Sequence, residues 1–297
     1  VSKQKATGTD GATSQNGSSS RGSTSGAQLP QRSYRTILRH VIVAGLAEFR
    51  RPTSGLAISS FSAGLGAGFS VLLMGVMFTL FDGVLHPAIV HLLMANMYAV
   101  GFIMVILGRS ELFTEHTALA VLPVIDRRES LGALTRVWSV VFAGNITGAM
   151  LFALITVFIA PAMGIIRLEA FGHIAHALTD HTWWIILLSA VLAGWLMGEL
   201  AWLLAASRDT MSQIVCIWIV TAGIGLAQLH HVVVGTVEVL AGVLVSPELG
   251  LVDLGRFMAL AATGNAIGGV VFVALIKYSH AVRGHDELAD IELTTIS

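Results

Sequence analysis

The chain has 297 residues, 55% of them hydrophobic and only 12% charged, about half the charged share of a soluble domain, which excludes an ordinary soluble protein. A formal net charge of −1 argues against nucleic acid as a partner. The single cysteine, Cys216, excludes an intrachain disulfide.

Residues 1–30 are rich in Gly, Ser, Thr and Gln, with no apolar stretch and no cleavage-site pattern. They read as a disordered polar tail rather than a signal peptide. Residues 31–53 differ. The run "RTILRHVIVAGLAEFRR" has apolar residues at helical spacing between arginines, the pattern of an amphipathic helix on a membrane surface. The other reading is the start of the first span.

Six apolar regions follow, at about 54–81, 87–125, 131–160, 182–206, 211–246 and 253–279, each meeting the roughly 20 residues that a span requires. They define a six-span domain over 54–280 and leave 281–297 as a C-terminal tail. Arg32, Arg35, Arg39, Arg50 and Arg51 precede the first span; Arg127, Arg128 and Arg136 lie between the second and third; Arg208 follows the fourth; Lys277 and Arg283 follow the last. This distribution predicts a multi-pass inner-membrane protein with both termini cytoplasmic.

Two regions are too long. As one straight helix, residues 87–125 would run roughly 58 Å, against a hydrocarbon core of about 30 Å. Region 211–246 has the same excess. Each carries polar residues near its middle, "GRSELFTEHT" in one and "AQLHHVVVG" in the other. A broken helix satisfies both facts, because irregular backbone at membrane depth is tolerated only inside protein or beside a wet cavity. Ionisable residues at that depth are functional candidates by default. A weak repeat accompanies the breaks: "GNITG" (Gly144, Asn145, Gly148) after the first and "GNAIGG" (Gly264, Asn265, Gly268) after the second. Their small residues suit close helix packing. Three spans per unit force the second unit to be inverted, an architecture of channels and transporters.

These motifs, in this order, resemble the formate/nitrite transporter family over about residues 35–280. "GRSELFTEHT" resembles the family's acidic-Leu-Phe-Thr loop, "GNITG" its third-helix motif, "LHHVVVG" its fifth-helix interruption and "GNAIGGVVFVALIKY" its closing helix. The resemblance implies an all-α, aquaporin-like protomer, a homopentamer with one pore per protomer, and passage of formate, nitrite or similar anions. It also implies that Thr114 hydrogen-bonds near a central pore histidine. His231 is the better match for that histidine, with His230 the competing alignment. Leu112, Phe113, Phe102 and Ile224 fall where the family has hydrophobic constrictions, and ordinary packing is the alternative for these four.

The departures from the pattern are specific. Glu115 and His116 follow the threonine where the family has a small residue and Asn. Gly235 stands where the fifth-helix motif ends in Asn. "AVLAGWLMG" offers Gly194 where the fourth helix often has Asn. "IRLEAFGHIAHALTDHTWW" lacks the usual lysine.

The residues themselves suggest a mechanism. A hydroxyl at Thr114 and a ring N–H at His231 can replace part of an ion's water while apolar walls exclude bulk solvent. Arg109 and Glu111 read as loop-pinning residues, paired with each other or tied to neighbouring helices. Glu115, if ionised and facing the pore, opposes anions and favours cations or acid-coupled passage; if it faces the protein, it pairs with Arg109 or with a histidine. Glu238, two turns after His231, falls on the same side of a helix that starts there. Glu199 lies within the fourth span, and an interhelical hydrogen bond is an equal alternative for both carboxylates. "HIAHALTDH" reads as an external loop. No nucleotide, phosphate-loop or hydrolase motif is present, and no cofactor or resident metal is expected. The expected function is a membrane channel or secondary transporter for small monovalent anions, with proton coupling. The alternative is the same scaffold passing a monovalent cation or a small neutral solute. The expected partners are the ion, membrane lipid and further copies of the chain.

Overall fold

The computed structural model describes residues 33–283, and these are helical throughout their regular structure. The remainder of the two expected tails lies outside the described residues. Helix α1 (Tyr34–Arg50) starts at Ser33, whose hydroxyl accepts from Thr36 N–H at 3.3 Å, a cap contributing about 1 kcal/mol. Its buried residues, Ile37, Leu38, Val41, Ile42, Gly45 and Phe49, follow the spacing of one helical face.

Two three-helix units follow. The first contains α2 (Thr53–Phe81), an interrupted helix made of α3 (Pro87–Leu107), α4 (Phe113–Leu119) and α5 (Val121–Ile125), and then α6 (Leu131–Ala162). The second contains α8 (Trp183–Ala206), an interrupted helix made of α9 (Thr210–Leu226) and α10 (Val232–Val245), and then α11 (Leu251–Ile267). The last helix widens into a π-helical stretch, Gly268–Leu275, and ends as α12 (Ile276–Arg283). Helix α7 (Leu168–Thr179) joins the units.

Among the described residues, five helices are long and apolar enough to cross a membrane: α2, α3, α6, α8 and the continuous run Leu251–His280. Helices α9 and α10 are shorter apolar segments. The chain is a multi-pass membrane protein. Many large apolar side chains, Ile58, Phe158 and Ile219 among them, point outward, as lipid or a neighbouring protomer requires and water would penalise.

Within each unit, glycines set the closest approaches. A Cβ on Gly64 of α2 would lie 2.1 Å from Asn145 O, and one on Gly194 of α8 would lie 2.2 Å from Asn265 O. Gly144 and Gly148 face Ser60 and Phe61 of α2, while Gly264 and Gly268 face Leu187 and Val191 of α8. The backbones of α2 and α6, and of α8 and α11, therefore touch. No side chain fits at Gly194, which explains the missing fourth-helix Asn.

One expectation needs correction. The segment holding His173 and His176 is a helix, α7, and not a plain loop. Ala170, Phe171, Ile174, Ala175 and Leu178 are buried, and it packs on α10 and α2. His176 pairs with Asp180 one turn on, at 3.1 Å.

Candidate functional site

The two breaks are built alike. Helix α3 ends at Leu107, and Arg109 then turns with φ of 56°; α9 ends at Leu226, and Gln228 turns with φ of 50°. The left-handed region is uncommon for residues with a Cβ, so these matched turns need support from their surroundings. Asparagines supply it. Asn145 Oδ1 accepts from Phe113 N–H at 2.7 Å, while its amide donates to Glu111 O and Ser60 O, each at 2.8 Å. Asn265 Oδ1 accepts from Val232 N–H at 2.9 Å, and its amide donates to His230 O at 2.9 Å and Ala190 O at 2.8 Å. The two "GN" motifs thus satisfy backbone groups that the interruptions strand.

The breaks meet at Thr114 and His231, whose Oγ1 and Nε2 lie 2.7 Å apart. Both side chains are buried. His231 also caps α10, its Nδ1 accepting from Val234 N–H at 3.4 Å. A lone pair on Nδ1 places the ring proton on Nε2, which then donates to Thr114 Oγ1. The threonine hydroxyl hydrogen remains available to a passing solute. Phe102 of α3 stands edge-on to the His231 ring at 5.0 Å, with Tyr98 one turn away at 5.4 Å from Phe102.

His230 faces elsewhere. Its Nε2 donates to Leu178 O at 2.9 Å, and its Nδ1 accepts from the Ser189 hydroxyl at 2.8 Å. Leu112 and Ile224 are fully buried, and Ile224 lines a cavity. Phe113 is turned towards α6, edge-on to Trp138 and Phe142 at 5.9 and 5.0 Å, and it lines neither cavity described below.

Two cavities flank the centre. The one beside α7, of about 110 Å³, is lined by Tyr98, Ile224, Gln228, His173, Glu238 and mainly apolar neighbours. The one beside α1, of about 810 Å³, is lined by Glu48, Arg51, Arg109, Glu111, Glu115, His116 and Arg208 among others.

The second cavity answers why charge sits in "GRSELFTEHT". Glu111 does not pair with Arg109. It is bound by Arg51, from the turn after α1, and lies 3.1 Å from His116 Nε2. Arg51 also binds Glu48 at 3.0 Å. His116 is buried, with Nδ1 donating to Leu112 O at 3.0 Å. The network ties α1 to the first break. Glu48, Glu111 and His116 bring ligand atoms within 4.8 Å of one another, a donor set a divalent ion could use. Arg51 already holds both carboxylates, so the group closes as an ion-pair network without metal. Arg109 is exposed on the cavity wall, and Glu115 lines the same cavity half-buried.

The sequence reading missed the roles of Glu48, Arg51 and Ser189; Arg51 lies 60 positions from Glu111 and Ser189 lies 41 from His230. Glu199 pairs with Lys277 at 3.0 Å. Gly235 leaves room for Phe257, since a Cβ there would lie 2.2 Å from Phe257 Cζ.

Comparison with known proteins agrees with this geometry. The formate/nitrite transporter family model matches residues 35–279. The chain is 33% identical over 255 residues to the inner membrane protein YfdC of Escherichia coli (strain K12), covering 85% of this chain and 80% of that one. A solved FNT family ion channel superposes with a TM-score of 0.73 at 21% identity, covering 82% of this chain and 98% of the other. A pentameric formate channel with formate bound superposes with a TM-score of 0.61 at 20% identity, covering 78% and 98%. Both share the fold. The chain belongs to the formate/nitrite transporter family of membrane channels and transporters.

Proposed function

We propose that the chain conducts small monovalent anions of the formate and nitrite class through a pore in each protomer of a homopentamer, with a proton accompanying the anion. In this reading six spans cross the membrane, both termini face the cytoplasm, and the α1-side cavity opens to the cytoplasm. The pore runs from the α7-side cavity past Phe102 to Thr114 and His231.

The observation that carries the reading is the 2.7 Å contact between Thr114 and His231, made where the two breaks meet among buried apolar side chains. That place is too dry for a hydrated ion, and it offers a hydroxyl donor to an anion's oxygen. A donor aimed at a partly dehydrated anion replaces lost water, and the apolar walls hold back bulk solvent. Asn145 and Asn265 keep the donors in position. The family and the fold shared with a formate channel support the substrate class.

The test is flux. Proteoliposomes holding the purified chain should take up labelled formate and nitrite, with internal acidification, and exclude potassium. A second reading, passage of a cation or neutral solute, draws on Glu115 and Glu238 in the two cavities. Ammonium or potassium flux without formate flux would establish it and overturn the first.

A further inference from the structure

Glu238 lies two helical turns beyond His231 on α10, roughly 10 Å along the axis, and is only 5% exposed. It lines the α7-side cavity together with Tyr98. The Tyr98 hydroxyl is itself buried, with no hydrogen-bond partner among the described residues. Tyr98 touches Phe102, and Phe102 touches His231. The unpaired phenol thus stands one aromatic ring from His231, and the Glu238 carboxyl lines the same cavity.

The surrounding charge does not favour an ionised carboxylate there. Among the described residues, no lysine or arginine lines this cavity. The ionisable groups facing it are Tyr98 and His91 from α3, Asp82 after α2, and His173 from α7. Arg167, nearby, is held by Asp82 at 3.2 Å. His91 is engaged with Leu226 O at 2.8 Å. Burial, against the pull of Asp82, holds His173 below the ordinary imidazole value, so it is neutral near pH 7. An ionised Glu238 would be unpaired at low dielectric and would repel an entering anion. His231 is poorly placed to be the proton donor, because its Nδ1 lone pair is used by Val234 N–H.

We propose that Glu238 and Tyr98 form a protonating subsite for small weak-acid anions at the outer side of the pore. The inference rests on the anion reading above. The Glu238 O–H bond breaks, its electron pair stays on the glutamate, and the proton forms a new O–H bond on the anion. The solute proceeds as a neutral acid to Thr114 and His231. The unpartnered Tyr98 hydroxyl shares the cavity with the carboxylate left behind, and water at the cavity mouth relays a proton from hydronium in the outside solution back to Glu238. One proton and one anion cross together, so the passage is electroneutral.

The test uses the full-length pentamer in proteoliposomes, with labelled formate and an internal pH dye. Wild type should carry formate and protons in equal number. Glu238→Gln should lower formate uptake at pH 7 by about a hundred-fold, the low end of what a positioned proton donor supplies. The deficit should shrink as external pH falls and bulk formic acid becomes available. Glu238→Asp should retain most of the flux. Unchanged uptake and stoichiometry in Glu238→Gln would overturn the proposal, as would faster formate uptake, which would make Glu238 a charged barrier. A second measurement needs no variant. Dicyclohexylcarbodiimide reacts with protonated buried carboxyls, so wild type at pH 7 should carry an adduct at Glu238 by peptide mass spectrometry, and formate should protect it. Absence of that adduct overturns the proposal even if Glu238→Gln does not assemble. Wild-type pentamers without any formate flux would refute the substrate reading instead.

Discussion

Asn145 and Asn265 occupy equivalent places 120 positions apart: each carboxamide accepts from the first N–H of a restarted helix and donates to the carbonyl two residues earlier. Each also holds a carbonyl of the neighbouring long helix, Ser60 O or Ala190 O. Replacing either by Ala strands the two backbone groups at its break, one N–H and one carbonyl, at about 1–3 kcal/mol for each one left unsatisfied. Asn145→Ala and Asn265→Ala should both lower the unfolding temperature of the detergent-solubilised protein, and by similar amounts. A shift in only one of them would show that the two breaks are not equivalent.

The adjacent histidines should separate cleanly. His231→Phe removes the Thr114 partner and should abolish formate flux while leaving assembly intact. His230→Ala loses its bonds to Ser189 and Leu178 and should destabilise the protein by about 1–3 kcal/mol, with flux per assembled pentamer retained. Flux and size-exclusion profiles measured together decide the matter; equal loss of flux from two well-assembled variants would refute the assignment of roles.

The two glutamates of the first break should behave oppositely. Glu111→Ala removes the carboxylate that holds His116 and one of the two that hold Arg51, leaving Arg51 with Glu48 alone. Breaking a buried pair costs roughly 3–5 kcal/mol, and the partial exposure of Arg51 lowers this towards roughly 2 kcal/mol. Assembly should suffer. Glu115→Gly removes a charge from the cavity wall without breaking an ion pair, so the pentamer should form normally and formate permeation should rise. A normally assembled Glu115→Gly pentamer with unchanged ion preference would show that this charge does not act on the ion.

Gly235 tests a packing constraint. Gly235→Asn drives a Cβ into the Phe257 ring and should prevent assembly. Gly235→Asn combined with Phe257→Ala should recover part of the pentamer on native gels. Normal assembly of the single variant would mean that Phe257 moves aside freely.

Much of this architecture was legible in one dimension. Span positions follow from hydropathy and length, and the breaks from apolar runs too long for one helix with polar residues in their middle. The "GN" motifs stood out as close-packing signals, but their carboxamide bonds join residues 32 to 35 positions apart, which no local pattern reveals. Arg51 reaches Glu111 across 60 positions, so Arg109, two residues from Glu111, looked like the natural partner. Its left-handed turn sends the chain another way. Helix α7 was obscured by two histidines and a glycine in a segment whose buried stripe exists only because α10 and α2 cover it.

The asparagine brackets at both breaks carry a mechanical consequence. A segment held at its restart, at its preceding carbonyl and against a long neighbour is braced at three points. On the proposed pore reading, these brackets make the middle of each protomer a fixed aperture, and permeation would need no rocking cycle of the kind that limits an alternating-access carrier. Turnover is then set by how readily a solute gives up its water and crosses a stationary throat. Such a throat can still be throttled from its edge, where Arg51 fastens the end of α1 to the first break.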